Sequence, residues 1–370
     1  MDQQAAFLSR SDLQVLLDVL GNMGFRCIGP CVHDGAIVYD TLVSTEELPA
    51  GYHDEQAPAR YRVKAGYHPR YFSWANGPQA LKPLVFAPRE VLWSVRRDAQ
   101  GQLQFVEAGP DASPLAVIGV RPCDLAALKL QDQHFLQGDM ADPYYGARRR
   151  NLFLVAVNCS HPADTCFCAS TGDGPAAESG YDLLLDELDD GFLIRFAGEK
   201  GREVFDKLPL QTANQEHEQA AREQIRHAAA QQRRTLPSQN LKDVLFERLG
   251  HARWDEVAQR CLSCGNCTAV CPTCFCHSEQ DEGGLDLSCS EHCRQWDSCF
   301  TQGHSYIHGM TIRKDTRLRY RQWLTHKLGS WHEQYGRSGC VGCGRCISWC
   351  PAAIDITEEA AVLCEVSDER

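Results

Sequence analysis

One cysteine spacing occurs twice in this chain, and the repeat limits the possible folds more than any other feature. In each copy four cysteines and a proline follow the pattern C-x2-C-x2-C-x3-C-P. The first copy consists of Cys261, Cys264, Cys267, Cys271 and Pro272. The second consists of Cys340, Cys343, Cys346, Cys350 and Pro351. Such a short loop can surround an inorganic core with three thiolates and turn its amide N–H groups toward the sulfurs, which is typical of ferredoxins with two 4Fe-4S clusters.

The fourth cysteine of each copy is expected to serve the other cluster, as in two-cluster ferredoxins. The predicted ligands of cluster 1 are Cys261, Cys264, Cys267 and Cys350. The predicted ligands of cluster 2 are Cys340, Cys343, Cys346 and Cys271. Gly265 and Gly344 should relieve crowding within the loops. The alternative is a pair of zinc sites, which do not usually use this run of four cysteines with a terminal proline.

A further group of thiols follows two apolar segments that predict buried strands. The segments LAVIGV (115–120) and LFLVAV (152–157) are continuous apolar runs, and Cys123 and Cys159 come soon after them. If the strands are parallel neighbours, both thiols emerge at the same carboxyl edge of the sheet. Cys123 also stands where a predicted helix begins, which favours its thiolate. With Cys166 and Cys168 in the next loop, these cysteines predict a third 4Fe-4S cluster; scattered buried thiols are the alternative.

The tetrapeptide TCFC occurs at residues 165–168 and again at 273–276, and only the first copy has an assigned role. Five cysteines remain between the ferredoxin motifs: Cys274, Cys276, Cys289, Cys293 and Cys299. They could form a fourth cluster, but no set of them has a familiar spacing. Buried free thiols are therefore the favoured interpretation.

Composition narrows the class of protein. The 370 residues include 20 cysteines and carry a formal net charge of -12. The N-terminal sequence lacks the features of a secretory signal, so we expect a cytoplasmic protein in which structural disulfides are improbable. The acidic balance argues against a nucleic-acid partner, and no apolar run is long enough for a membrane span. Because no hydrolase, P-loop or convincing dinucleotide motif is found, the chain is expected to transfer electrons rather than to transform a substrate.

The expected fold is α+β and divides near residue 236. Residues 1–235 predict an α/β domain that carries the third cluster. Residues 236–370 predict a mainly helical, ferredoxin-like domain with two 4Fe-4S clusters and a long insertion. The apolar run at 84–88 predicts a strand. The basic segment 313–327 predicts a helix with an apolar face, whose arginines could offset the negative charge of the clusters.

Several longer segments together resemble a known family. They are RPCDLAAL (121–128), NCSHPADTCFC (158–168), CGNCTAVCPTCFC (264–276), WDSCF (296–300), YRQWLTHKLGSW (320–331) and CVGCGRCISWCP (340–351). These segments resemble the iron-sulfur β subunit of cytoplasmic NiFe hydrogenases of the sulfhydrogenase type. They are also similar to the related iron-sulfur subunit of anaerobic sulfite reductase. The resemblance extends over about residues 80 to 360.

The resemblance implies an electron relay between a flavin-containing subunit that reacts with NAD(P)H and a partner that holds the catalytic centre. For a hydrogenase, that partner is a small iron-sulfur subunit together with the large NiFe subunit. The family also implies a third cluster at the positions of Cys123, Cys159, Cys166 and Cys168, whereas Cys274, Cys276 and Cys299 match family cysteines without an assigned ligand role. Cys289 and Cys293 lie in a stretch that departs from the family pattern. The alternatives are the sulfite reductase subunit mentioned above and, in a different class, a zinc-stabilised scaffold without redox activity.

Overall fold

The computed structural model describes residues 5–238, 240–284 and 288–365, and it shows a mixed α and β protein built around a large sheet. In chain order the strands are β1 (Ala6–Ser9), β2 (Arg26–His33), β3 (Ala36–Thr41), β4 (Tyr52–Ala57), β5 (Arg60–Ala65), β6 (Arg89–Arg97), β7 (Leu103–Glu107), β8 (Leu115–Val120), β9 (Leu152–Val157), β10 (Leu183–Glu187), β11 (Gly191–Phe196), β12 (Gln211–Thr212), β13 (His277–Gly283), β14 (Cys289–Trp296), β15 (Tyr306–Ile307) and β16 (Met310–Thr311).

The helices alternate with these strands in the first half of the chain and dominate the second half. In chain order they are α1 (Leu13–Asn22), α2 (Lys82–Val85), α3 (Pro122–Leu136), α4 (Pro143–Arg150), α5 (Cys168–Thr171), α6 (Gly198–Phe205), α7 (Gln215–Gln231), α8 (Leu241–Glu247), α9 (Arg253–Arg260), α10 (Asn266–Ala269), α11 (Thr316–Thr325), α12 (Trp331–Tyr335), α13 (Arg345–Ser348) and α14 (Ile356–Cys364). A π-helical turn, His326–Ser330, joins α11 to α12.

The large sheet has eight strands in the order β12-β1-β11-β10-β9-β8-β2-β3. Its centre is parallel, because β10, β9, β8 and β2 pair side by side in the same direction. Every residue of β9 is buried, as is all of β8 except its first residue. Both faces of these strands are therefore covered, which explains their continuous apolar sequences. The prediction that residues 115–120 and 152–157 form buried strands is confirmed, and the two strands pair as parallel neighbours.

A second sheet brings together two distant parts of the chain in the order β13-β14-β6-β7. Strands β6 and β7 come from residues 89–107, whereas β13 and β14 come from the segment between the two ferredoxin motifs. The contact between β14 and β6 is antiparallel and extends over most of both strands. The long insertion thus pairs with the first half of the chain and positions the residues that follow β14.

The helical second half has its own apolar core. Helix α11 contributes the buried residues Tyr320, Trp323 and Leu324, and Leu328 follows in the π-helical turn. The predicted apolar face of this helix is therefore confirmed. The strand predicted at 84–88 is wrong, because Lys82–Val85 form a short helix with a proline in its first turn. Proline is well suited to that position because its missing N–H has no helical partner there. Among the described residues, no helix is long and apolar enough to cross a membrane.

Candidate metal centres

The first ferredoxin motif, residues 261–271, forms a loop that follows α9 and contains α10. We call it the first loop. Gly265 adopts a φ of +77°, a conformation that glycine accepts without strain. We call Cys261, Cys264, Cys267 and Cys350 group 1. The pKa of the Cys267 thiol is raised well above its usual range, first by burial and then by the charges of Cys299, Cys261, Cys350 and Cys264. The four sulfurs of group 1 therefore lie in one neighbourhood.

The second motif forms the second loop, residues 340–350, and its thiols meet Cys271 from the first. Group 2 is Cys340, Cys343, Cys346 and Cys271. Burial raises the pKa of Cys340 to about 12, and the charges of Cys343 and Cys271 also act to raise it. The pKa of Cys346 is also raised, first by burial and then by the three other members of the group. The structure thus brings the fourth cysteine of each motif to the other loop.

The backbone of the second loop packs directly on the first TCFC segment. Phe167 donates its amide hydrogen to the carbonyl oxygen of Gly342 at 2.8 Å. A Cβ atom on Gly342 would lie 2.5 Å from the Cys168 backbone, and one on Gly344 would lie 2.3 Å from the Thr165 carbonyl oxygen. Both glycines also have positive φ, +63° and +72°. Only glycine can therefore hold this loop against residues 165–168 without displacing backbone.

Group 3 is Cys123, Cys159, Cys166 and Cys168, at the carboxyl ends of β8 and β9. Cys123 is the second residue of α3, where a helix begins directly after β8. The pKa of Cys166 is raised well above its usual range, first by burial and then by the charges of Cys168 and Cys159. Burial also raises the pKa of Cys123, and Cys343 and Cys168 are among the charges that raise it further. The structure therefore collects these four thiols at one edge of the sheet.

The three groups form a row with group 2 in the middle. On one side, Cys343 interacts electrostatically with Cys123 and Cys168 of group 3. The Cys166 thiol also lies 3.9 Å from the carbonyl oxygen of Cys343. On the other side, Cys346 interacts with Cys267 of group 1. Group 2 is thus the neighbour of both other groups.

The spacing of the thiols fits cores larger than a single ion. Four thiolates around one zinc ion lie about 3.8 Å from one another, because each Zn–S bond is about 2.3 Å in a tetrahedral site. In the described parts of the chain, no three cysteine sulfurs all lie within 4.8 Å of one another. Two loop amides point at sulfurs, Gly342 at Cys340 (3.5 Å) and Ile354 at Cys350 (3.4 Å), as expected around iron–sulfur clusters. These residues fit 4Fe-4S clusters better than zinc.

Buried cations beside the thiols also fit a negatively charged core. Arg121 is 1% exposed and donates to the carbonyl oxygens of Phe72 and Trp74. Within the described part of the chain, its Nε and Nη1 atoms are buried without a hydrogen-bond partner. The pKa of Cys159 is raised by burial, and Arg121 is the strongest influence that opposes this rise. A thiolate-bound cluster in group 3 would supply the missing negative partner for this guanidinium.

A buried ion pair stands between groups 2 and 3. Arg345 of the second loop makes a bidentate contact with Asp124, with nitrogen–oxygen distances of 2.9 and 2.8 Å. Both side chains are 2% exposed. This pair joins α13 to the start of α3 and holds the second loop against the sheet edge. Sequence reasoning missed it, because 221 residues separate the partners.

The basic segment contributes a lysine to the site rather than the predicted arginines. Arg319 donates to backbone carbonyl oxygens and Arg317 pairs with Asp255 on the surface. Lys327 instead is buried, and its Nζ donates to Thr273 Oγ1 at 2.8 Å. Thr273 Oγ1 lies 3.2 Å from the sulfur of Cys271 in group 2. The charge that reaches the thiols of group 2 therefore comes from the end of the segment, whereas Arg313 at its start acts on Cys299.

The remaining cysteines fall into two sets. Cys274, Cys276 and Cys299 lie beside groups 1 and 2, whereas Cys289 and Cys293 belong to β14. The sulfur of Cys293 lies 3.0 Å from an Arg89 nitrogen that also contacts Glu282 and Glu291. Within the described residues, this cysteine and the two glutamates form the one group compact enough for a single ion. The guanidinium already supplies its positive charge, so we assign no metal to it.

Comparisons with known proteins agree with this chemistry. Residues 260–354 match a family model described as a 4Fe-4S dicluster domain, and residues 212–275 match a second model with the same description. No solved structure matches the chain significantly. The sulfhydrogenase 2 subunit beta of Pyrococcus furiosus is 30% identical over 351 residues, which cover 93% of this chain and 92% of that protein. The chain is therefore an iron-sulfur subunit that belongs to the family of sulfhydrogenase beta subunits.

Proposed function

We propose that groups 1, 2 and 3 each hold a 4Fe-4S cluster and that the chain relays electrons along the row. When bound, such clusters supply one-electron transfer without large structural change. The observation that carries the proposal is the central position of the second loop, whose Cys343 neighbours group 3 and whose Cys346 neighbours group 1. Cluster 1 would use Cys261, Cys264, Cys267 and Cys350, cluster 2 would use Cys340, Cys343, Cys346 and Cys271, and cluster 3 would use Cys123, Cys159, Cys166 and Cys168.

The protein's own residues would keep the clusters close together, dry and charge-balanced. The glycine backbone at 342 and 344 sets the short contact between the second loop and residues 165–168. Arg121 faces group 3, and Lys327 contacts group 2 through Thr273. Because these cations are buried, their charge is weakly screened and favours electron uptake by a cluster.

Group 1 is the natural exchange point with a partner protein. Cys264 is exposed, and Leu262 beside it keeps 68% of its surface exposed to solvent. The second loop is covered, with Val341 only 2% exposed. A cluster ligand exposed at the surface, such as Cys264, lets a redox partner approach the cluster closely. The first loop would therefore face a neighbouring protein of the complex.

The proposed complex contains a flavin subunit that reacts with NAD(P)H and the small and large subunits of a NiFe hydrogenase, in the cytoplasm. Support comes from the sulfhydrogenase beta relative, which matches nearly the whole chain. Purification of the native complex tests this assignment: nickel should accompany the chain. Sirohaem in the complex without nickel would instead identify a sulfite reductase.

Iron and sulfide analysis of the anaerobically purified chain tests the cluster assignment. At least three clusters predict at least about 12 irons per chain, whereas the two ferredoxin motifs alone predict about 8. Cys123→Ser should remove about four irons and one signal from the electron paramagnetic resonance spectrum of the reduced protein. Cys27→Ser is the matched control, because Cys27 is a buried thiol of the large-sheet core. An unchanged spectrum in Cys123→Ser would contradict the assignment of group 3.

A further inference from the structure

Three cysteines without a role gather beside the relay, and we call them group 4: Cys274, Cys276 and Cys299. Cys274 and Cys299 are buried, and Cys276 is partly buried. The amide of Asp297 donates to the carbonyl oxygen of Cys276 at 2.9 Å, which brings the turn with Cys299 alongside the second TCFC segment. The second sheet fixes this contact, because His277 pairs with Trp296 in the β13–β14 ladder. Residues far apart in sequence are thus held together by regular structure.

Two buried lysines flank these thiols without a carboxylate partner. Lys82 is 4% exposed, and its Nζ lies 3.8 Å from the centre of the Trp296 ring. Lys327 is 3% exposed and donates to Thr273. Within residues 5–238, 240–284 and 288–365, neither ammonium group has a carboxylate oxygen within 4.0 Å. Burial of a charge without a counterion costs several kcal/mol, so a negative group should lie nearby.

The thiols are the nearest candidates for that negative group. Lys82, Cys274 and Cys276 line one pocket, so the buried ammonium group lies beside these two thiols. Lys327 donates to Thr273, the residue before Cys274. Protonated thiols would leave Lys82 without a compensating charge, whereas Lys327 also lies beside Cys271 of group 2 through Thr273. Three thiolates bound to an oxidised 4Fe-4S core would give a net charge of about -1, which would compensate Lys82.

The space beside Cys274 and Cys276 is open enough for an inorganic core, and Cys299 lies just outside the lining of this space. A pocket of about 190 Å³ is lined by Lys82, Cys274, Cys276 and Asp297, among other residues. It also reaches Cys264 of the first loop, so its contents would lie next to group 1. The three sulfurs of group 4 do not form a set within 4.8 Å of one another, which is too wide for a single zinc ion.

We infer that group 4 holds a further iron–sulfur cluster, with thiolates of Cys274, Cys276 and Cys299 at three corners and Lys82 and Lys327 as its buried counter-charges. Each ferredoxin motif likewise supplies only three thiolates to its own cluster, and the fourth ligand of that cluster comes from the other motif. This site lies next to groups 1 and 2 and goes beyond the three-cluster relay. It would branch the relay toward the face that carries the second sheet.

Iron content measured by Mössbauer spectroscopy and chemical analysis tests the inference. The intact chain, purified anaerobically, should hold about 16 irons rather than about 12. Cys276→Ser and Cys299→Ser should each lower the count by about four and remove one spectral component. Cys364→Ser is the matched control, because Cys364 is a buried thiol of the α14 core and should leave all components in place. If the wild type holds about 12 irons per chain and Cys276→Ser holds the same number, the inference that group 4 binds a cluster is wrong. The three-cluster proposal would be unaffected by that result.

A lysine variant separates cluster binding from a purely structural role of the thiols. Lys82→Met keeps the length of the side chain and its contact with Trp296 but removes the charge. One reduction potential should shift to a more negative value, because the reduced, more negative cluster loses a buried counter-charge. Lys129→Met is the control, since Lys129 is exposed on α3 and should leave every potential unchanged. Unchanged potentials in Lys82→Met would contradict the role of this lysine.

Discussion

The two ferredoxin loops share one cysteine spacing and differ in what surrounds them. The first loop is open to solvent at Cys264 and Leu262, and its Gly265 faces a serine side chain. The second loop is covered by the first TCFC segment, and its two glycines face backbone atoms. The motif therefore determines which thiols gather, whereas the surroundings determine what each group can contact. An exposed group can exchange electrons with a partner, and a covered group can connect two others.

The difference predicts unequal sensitivity to mutation, with the largest effect at the buried ion pair of the second loop. Arg345→Met leaves Asp124 buried without its cation and should lower the free energy of unfolding by about 3 to 5 kcal/mol. Replacing both residues, Arg345→Met with Asp124→Leu, should recover part of this loss. Urea denaturation under anaerobic conditions measures both variants. A single variant with the stability of the wild type would show that the pair does not hold the loop.

Glycine substitutions compare the two loops directly. Gly344→Ala places a Cβ 2.3 Å from the Thr165 carbonyl oxygen, so backbone must move, and a loss of about 3 kcal/mol is expected. Gly265→Ala meets side-chain atoms only, the nearest being Ser298 Oγ at 3.2 Å and Ser298 Cβ at 3.3 Å, and its cost should stay near about 1 kcal/mol for the positive φ. Thermal unfolding should therefore rank Gly344→Ala below Gly265→Ala. Equal midpoints would contradict the tighter packing of the second loop.

Exposure predicts the order in which iron is lost. Because Cys264 is exposed and the second loop is covered, a chelator should remove cluster 1 before cluster 2. The expected first phase is the loss of about four irons per chain. Iron release measured with a coloured chelator, together with spectra of the remaining clusters, checks this order. Loss of cluster 2 first would show that the covered loop opens more easily than the exposed one.

The smallest predicted effect is a dependence of the free energy of unfolding on pH. It comes from two partly buried histidines near the second loop and the second TCFC segment. Burial lowers the pKa of both His134 and His326 to about 4. The unfolded chain binds protons at these histidines below about pH 6.5, so stability should fall as the pH decreases from about 6.5 toward 4. Partial exposure should keep each contribution below about 1 kcal/mol at pH 5.5.

Urea denaturation at pH 7.0 and pH 5.5 measures this dependence, and His326→Gln should reduce it. His332→Gln is the matched control, because His332 is exposed on α12. If the double variant His134→Gln, His326→Gln keeps the same pH dependence of stability, other titratable groups cause that dependence.

Much of this organisation was predictable from local patterns. The continuous apolar runs at 115–120 and 152–157 predicted the parallel strands, because strands covered on both faces have no polar positions. The apolar face of α11 followed from helical spacing. At 84–88 the short apolar run did not distinguish a strand from a helix, and Pro83 in the first helical turn decided the outcome.

The long-range contacts were not predictable, because no local pattern encodes them. Nothing in the sequence around Lys82 indicates that it lies beside Cys274, since the second sheet brings these segments together. The pairing of Arg345 with Asp124 and the position of Arg121 likewise depend on tertiary packing. Cysteine spacing predicts local ligand sets, whereas the buried charges that balance a cluster emerge only in the folded chain.

Magnetic coupling between reduced clusters tests the central position of group 2 most directly. In the wild type, cluster 2 should couple to both cluster 1 and cluster 3 in the electron paramagnetic resonance spectrum. Cys346→Ser should remove cluster 2 and leave the spectra of clusters 1 and 3 without coupling to each other, whereas Cys123→Ser should preserve the coupling between clusters 1 and 2. Coupling between clusters 1 and 3 that persists after the loss of cluster 2 would contradict the row.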